Sequence, residues 1–238
     1  MSVLILRLAG PLQSWGVRSR FVRRTTESMP TKSGLIGLLA AAKGLRRTDP
    51  LEDLLDLQLA VRTELSGTIL RDFQTAHHQV TKKSAPLSDR YYWADALFTA
   101  YIGGADPVIA GLHEALRDPA YPLYLGRRSC VPEGRLVLGV ADTSVAEQVR
   151  CTPWQAPVHR RRAFKGPTIS LDVQADDGVF QGLAPARQLQ DVPVSFNPEH
   201  RVYTMRSVVD TRVEVAHPDH TQEDANGHDP MGLAGEFV

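Results

Sequence analysis

Val3-Leu4-Ile5-Leu6-Arg7-Leu8-Ala9, closed by Gly10-Pro11, is a short apolar run interrupted once by Arg7, and it reads as a buried β-strand. Outward from it, Thr31 or Ser33 can cap a helix through Leu35, Ile36, Leu38, Leu39 and the alanines, with Gly44 as its stop. Asp49-Pro50 opens another helical stretch through Leu54 and Leu55. Leu57 to Thr63 then alternates as a strand, with Leu57, Leu59 and Val61 on one face. Ala94 to Tyr101, closed by Gly103-Gly104, is a further strand. Asp106-Pro107 starts a helix in which Val108, Leu112, Ala115 and Leu116 recur at helical spacing, stopping before Pro119. Leu136 to Val140 supplies one more strand.

The order is strand, helix, strand, insertion, strand, helix, strand. It predicts an α+β chain with a ferredoxin-like (RRM-like) βαββαβ palm, an arrangement shared by modules that present RNA on sheets and hairpins. Order alone assigns no function, because this fold hosts many. The expected division is a palm over residues 1–150, interrupted at about 66–93 by an inserted β-hairpin. A proline-punctuated, β-rich C-terminal extension over 151–215 follows, with strands at Thr168 to Val173 and Arg201 to Val215. From 216 to 238, Pro, Asp, His, Asn and Gly leave almost nothing apolar to bury, so a disordered tail is expected.

The chain has 238 residues, 42% of them apolar, and no uninterrupted apolar run long enough to span a bilayer. No basic leader precedes the first apolar run, so a strand and not a signal peptide is expected there. Cys130 and Cys151 can form at most one disulfide and match no metal motif, so the expectation is a reduced, cytoplasmic protein without metal or cofactor. Net charge is zero, but it is unevenly placed. Up to Thr48, Glu27 is the only acid against Arg7, Arg18, Arg20, Arg23, Arg24, Lys32, Lys43, Arg46 and Arg47. From Asp172 onward, acids outnumber arginines 12 to 4. This asymmetry points to a polyanion on the first half, unless it is only an uneven solvated surface.

Three segments carry candidate chemistry. Between Gln13 and Gly34, Arg18, Arg20, Arg23, Arg24 and Lys32 bring cations while Trp15 and Phe21 bring flat faces. Single-stranded RNA is held by that combination of guanidinium on phosphate and ring under base. The same rings suit core anchors, and Gly34 and Gly37 suit close helix packing. Pro30-Thr31-Lys32-Ser33-Gly34 adds a helix N-terminus with two hydroxyls, a natural phosphate seat. It lacks the Gly-x-x-x-x-Gly-Lys-Ser/Thr order of a nucleotide-binding loop. In Leu125-Gly126-Arg127-Arg128-Ser129-Cys130, glycine admits close backbone approach, and the arginines can clamp phosphate or one can pair with an internal acid. The insertion brings Arg71, Lys82, Lys83 and Arg90 beside Tyr91, Tyr92 and Trp93, as a basic aromatic hairpin or an ordinary polar loop. His77-His78 suggests acid–base cleavage of RNA, but adjacent strand residues face opposite ways. His159-Arg160-Arg161-Arg162 reads as a solvated basic face. No Ser-His-Asp order, paired-Cys motif or His-x-x-x-His helix appears, so a non-enzyme is expected.

Four blocks carry a resemblance. Leu6-Arg7-Leu8-Ala9-Gly10-Pro11-Leu12-Gln13-Ser14-Trp15-Gly16, Pro30-Thr31-Lys32-Ser33-Gly34-Leu35-Ile36-Gly37-Leu38-Leu39, Leu70-Arg71-Asp72-Phe73-Gln74-Thr75 and Tyr124-Leu125-Gly126-Arg127-Arg128-Ser129-Cys130 look like the CasD family. These are the subunits that cap the crRNA 5′ handle in the type I-E CRISPR complex Cascade, within the RAMP superfamily. The resemblance covers about the first 130 residues in order, with Arg201-Val202-Tyr203 matching a last strand. It implies a ferredoxin-like palm, a hairpin thumb between its second and third strands, and contact with the crRNA 5′ handle, the CasC backbone subunit and the CasA large subunit. Target DNA is then met only indirectly, since the guide reads sequence by base pairing. The implied RNA contacts are Arg7, the Gln13–Arg24 loop, Pro30–Gly34, Arg71 and the thumb, and Arg127-Arg128. A type I-C subfamily of similar fold cuts repeat RNA, which gives the alternative of a metal-independent endoribonuclease. It would use His77 or His78, a tyrosine of Tyr91-Tyr92, and Lys82 or Lys83. A generic RNA-binding module is the third reading.

Overall fold

The computed structural model describes residues 1–16, 23–84 and 86–219. Strand β1 (Ser2–Ala9) is followed by the two-residue strands β2 (Leu12–Gln13) and β3 (Arg23–Arg24). Helix α1 (Lys32–Ala42) and the short helix α2 (Glu52–Leu55) lead to β4 (Gln58–Leu65). Next come β5 (Thr68–Gln74), β6 (Ser88–Ala94), β7 (Leu97–Gly104), α3 (Asp106–Arg117) and β8 (Val137–Ala141). The remainder supplies α4 (Val145–Cys151), α5 (Val158–Ala163), β9 (Thr168–Asp176), β10 (Arg187–Ser195) and β11 (Val202–Ala216).

The architecture is α+β and dominated by antiparallel sheet. Seven strands run in the order β10-β11-β9-β4-β7-β1-β8. β7 lies between β1 and β4, pairing Leu6 with Ala100 and Val61 with Ala100 on its two sides. β9 joins β4 through Ala60–Ala175 and Arg62–Val173, so the C-terminal strands continue the same sheet. Both faces are covered, and the period of two shows it. Leu4, Leu6 and Leu8 of β1 enter a core with α1 and α3, whereas Val3 and Ile5 enter a second core with α4, β9 and β11. A strand buried on both faces reads as an unbroken apolar run, and that is why β1 stood out in the sequence. Each fully buried leucine contributes about 1.5–3 kcal/mol.

Helix α1 starts where expected. The Thr31 hydroxyl accepts the Gly34 N–H at 3.2 Å, and the chain leaves the helix through Gly44 at φ +78°. Five elements differ from the expectation, counting α5, which lies in a stretch read as β-rich. Between Leu12 and Met29, read as a loop, the short strands β2 and β3 flank β6. Helix α4 is not expected from the sequence, although Ser144-Val145-Ala146-Glu147 has the order of a capping box; the Ser144 hydroxyl accepts the Glu147 N–H at 3.2 Å. Edge strand β10 also went unread. Pro193 and two register shifts break its alternation, and its buried Asp191 faces inward.

A buried ion pair moors the chain after α4. Arg62 and Glu64 of β4 are almost completely buried. Arg62 Nε donates to Glu64 Oε1 at 2.7 Å, and its Nη1 and Nη2 donate to the carbonyls of Val149, Thr152 and Pro153 at 2.6, 2.8 and 3.1 Å. Glu64 Oε2 accepts the Gln155 N–H at 2.9 Å. Every charged atom is matched, the condition under which a buried pair is tolerated. Both cysteines are free; Cys130 is buried, and burial pushes its thiol up. No helix among the described residues is long and apolar enough to cross a membrane. The tail expected to be disordered lies outside the described residues from His220 onward.

Candidate nucleic-acid interface

Three of the four motif blocks converge on Trp15. Gly34 lies under its ring, so close that an added Cβ would stand 2.7 Å from Trp15 Cε3. Gln13 Nε2 donates to Leu8 O at 2.9 Å and Ala96 O at 2.7 Å, while its Oε1 accepts the Trp15 indole N–H at 3.2 Å. Gly126, at φ +89°, passes so near Ser14 that a Cβ would lie 1.7 Å from its carbonyl oxygen. Only glycine fits there. Gln13 and Trp15 are therefore corrected from RNA contacts to core residues: both are 0% exposed, and their polar groups are matched inside the protein. Phe21 lies outside the described residues.

The expected phosphate seat is already filled. At the N-terminus of α1 the Lys32 N–H donates to Asp191 Oδ2 at 2.8 Å, so a carboxylate 159 residues away occupies the anion position. Lys32 Nζ donates to Leu57 O at 2.9 Å and to Asp176 Oδ2 at 3.1 Å. Arg206 bridges the two acids, with Nε and Nη2 on Asp191 at 2.7 and 2.9 Å and Nη1 on Asp176. Burial works against the Arg206 charge, but Asp191 and Asp176 outweigh it and hold the guanidinium above its ordinary value. Thr31 spends its hydroxyl on Gly34 and lies 3.3 Å from Ser33 Oγ. Thr31, Lys32 and Ser33 are thus buried structural residues, and part of the charge gradient is internal pairing between the two halves of the chain.

Solvent-facing cations gather on the smaller sheet. β6 pairs with β5 along its length, with β2 at Trp93 and Ala94, and in parallel with β3 at Asp89 and Arg90. Arg23 and Arg24 are exposed there, and Arg23 lies 5.4 Å from the Tyr91 ring centroid. Arg18 and Arg20 lie outside the described residues, between Gly16 and Arg23. Arg71 is half-exposed, forks onto Asp89 at 3.1–3.3 Å, and lies 4.4 Å from the Phe73 ring centroid. The Asp89 hydrogen bond raises the Arg71 pKa above its ordinary value. Ile69, Leu70 and Phe73 of β5 are exposed apolar surface; Leu70 and Phe73 belong to the third block and Ile69 precedes it. Lys82, with φ +56°, and Lys83 sit exposed at the hairpin tip.

The two adjacent arginines divide their work. Arg127 is partly buried and binds carbonyls, not an acid: Nη1 donates to Tyr91 O at 3.2 Å and Nη2 to Arg24 O at 2.8 Å. Its guanidinium also lies 4.8 Å from the Tyr92 ring centroid. Arg127 thereby ties β3 to β6, while Arg128 is exposed. Arg7 lies apart on β1, reaching Glu133 O at 3.4 Å. His77 and His78 stay within the tip: His77 Nδ1 is 3.1 Å from Ser84 Oγ, and His78 Nδ1 accepts the Thr81 N–H at 3.1 Å. Tyr92, by contrast, is buried at the base of the hairpin.

Comparison with known proteins follows the same lines. Residues 3–209 match the family model described as CRISPR-associated protein (Cas_Cas5). The chain is 38% identical over 163 residues to the CRISPR system Cascade subunit CasD of Escherichia coli (strain K12), covering 60% of this chain and 73% of that one. It is similar to a chain of a solved CRISPR RNA-guided surveillance complex, with 34% identity, 90% and 91% coverage and a TM-score of 0.74. A crystal structure of a Cas protein is similar at 33% identity, 88% and 94% coverage and a TM-score of 0.69.

Proposed function

Because this chain belongs to the CRISPR-associated Cas5 family, we propose that it is a subunit of a Cascade-type surveillance complex that grips the crRNA 5′ handle without cutting it. The observation that carries the reading is the cationic small sheet, where Arg71 lies over the exposed Phe73 ring of the hairpin and Arg23 and Arg24 are exposed on β3, paired to β6. Guanidinium groups next to an apolar ring suit a single strand. We read β4-β7-β1-β8, with α1 and α3 as crossovers, as a ferredoxin-like palm, and residues 66–93 as its thumb; the strand order supports this. Residues 151–215 would be the extension. In this reading its neighbours are CasC and CasA in the cytoplasm, and target DNA is reached through the guide; resemblance to the Cascade subunit supports it. Support for a non-catalytic role comes from His77 and His78, which bond to Ser84 and Thr81 and have no carboxylate partner among the described residues. General acid–base cleavage needs such groups held about 3 Å from the reacting oxygens.

The test is handle-RNA binding across a salt series. Replacing Arg18, Arg20, Arg23 and Arg24 by alanine should lower the log–log slope by about 0.7 for each phosphate no longer neutralised. An unchanged slope would refute the assignment. Purified protein without metal should leave full repeat RNA intact; specific cutting abolished by His77→Ala with His78→Ala would establish the nuclease alternative.

A further inference from the structure

We propose that α5 is a second phosphate-binding surface, one that takes the backbone of double-stranded nucleic acid. It goes beyond the handle reading and does not depend on it. The run His159-Arg160-Arg161-Arg162, with Lys165 after it, is built onto a rigid mount. Arg161 turns toward the body, pairing Nε with Asp219 Oδ2 at 2.7 Å. Its carbonyl lies 2.8 Å from His217 Nε2, while His217 Nδ1 accepts the Asp219 N–H at 3.1 Å, so Nε2 carries the proton and donates. Phe164 stacks on His217 at 6.0 Å and 7°, and Trp154 meets both rings edge-on at 5.8 and 5.7 Å. Gly166 packs beside them, so that an added Cβ would stand 2.9 Å from Phe164 Cε1 and push the ring aside.

On this mount Arg160, Arg162 and Lys165 are exposed and have no ion pair among the described residues. Like charges so close repel one another, which costs stability unless a polyanion is bound. The helix dipole rewards a cation in the last turn by about 0.3–1 kcal/mol, but it accounts for neither three of them nor Lys165 beyond the helix. The rings of this region are engaged with each other, and Phe164, which reaches solvent, has a face on His217. Single strands are held by stacking platforms as well as charge, whereas a duplex keeps its bases stacked and offers phosphate. Three exposed cations beside a single part-exposed ring, already stacked on one face, fit the duplex better than a single strand.

Location makes the surface usable. Trp154 Nε1 donates to Glu64 O at 3.2 Å, one residue before β4 ends and shortly before the hairpin begins. α5 therefore sits at the hairpin end of the large sheet, with the α4 and β9 core on the face opposite α1. The experiment compares the full chain with Arg160→Gln, Arg162→Gln, Lys165→Gln by fluorescence anisotropy in a KCl series. Probes are a labelled DNA duplex of arbitrary sequence, the matching RNA duplex, and single-stranded handle RNA. Duplex affinity should fall on the order of tenfold at low salt, with the slope smaller by about 0.9 for each phosphate no longer neutralised. Handle-RNA affinity should not move, the thermal melt should hold or rise as the repulsion is relieved, and Arg160→Lys with Arg162→Lys should retain duplex binding. A loss on one duplex only identifies which nucleic acid is met. No duplex binding by the parent, an unchanged slope in the variant, or a loss confined to single-stranded RNA overturns the proposal. Failure of the parent to bind handle RNA would sink the handle reading alone.

Discussion

Asp191→Ala should destabilise the protein strongly without improving its hold on RNA. The carboxylate is 0% exposed and accepts three N–H groups, from the Lys32 backbone at 2.8 Å and from Arg206 at 2.7 and 2.9 Å. Removing one member of a buried pair costs about 3–5 kcal/mol, because the other charge is left uncompensated. Asp176 still holds Arg206 Nη1 and Lys32 Nζ, so the lower end applies, about 3 kcal/mol. A chain of this size loses about 2–4 °C in Tm for each kcal/mol, which predicts a fall of roughly 6–12 °C in calorimetry. Asp191→Asn keeps an oxygen for the Lys32 N–H and loses the charged bonds to Arg206, so it should fall between. A Tm for Asp191→Ala within about 2 °C of the parent would refute the latch. So would a gain in handle-RNA affinity on freeing the helix end, since that is what a phosphate seat masked by its own carboxylate would show.

Three further outcomes follow from the geometry. Gly126→Ala should cost more than the roughly 1–2 kcal/mol of a left-handed non-glycine residue, because its Cβ also meets Ser14 O; soluble yield and thermal melting check it. Arg62→Leu should cost about 3–5 kcal/mol by stranding Glu64, and limited proteolysis should find residues 149–155 newly open. Arg127→Ala should lower Tm and loosen the Arg24 segment, whereas exposed Arg128→Ala should leave Tm unchanged and reduce the salt slope by at most about 0.7.

What the sequence disclosed was local. The apolar run of β1, the alternation of β4, the Thr31 cap and the Gly44 stop each depend on residues a few positions apart, and each appears where expected. Long-range partners were hidden. Nothing near Lys32 announces Asp191, and β10, which delivers it, carries a proline and an inward acid where alternation would want apolar residues. Trp15 was ambiguous for a related reason: a tryptophan among arginines suits a base or a core equally, and the choice rests on Gly34 lying beneath the ring. Only α4 was legible and missed, through its Ser144-Val145-Ala146-Glu147 start.

The distinction between motif and contact has an experimental consequence. The blocks that carry the resemblance mostly build the site from within: Gln13, Trp15, Gly34, Gly126 and Arg127 fix β2, β3 and β6 against α1. The side chains free to meet phosphate, Arg23, Arg128, Lys82 and Lys83, lie on the surface those residues hold in place. A buried builder acts on stability, because its loss opens a cavity or strands a polar group. An exposed cation acts through counterion release, because replacing it leaves a phosphate unneutralised and disturbs little packing. Substitutions should therefore sort into those that move Tm and those that move the salt slope. Lys32 discriminates most sharply: by sequence it belongs with the phosphate ligands, and by its bonds to Leu57 O and Asp176 it belongs with the builders. Lys32→Met should lower Tm and leave the salt slope of handle binding unchanged.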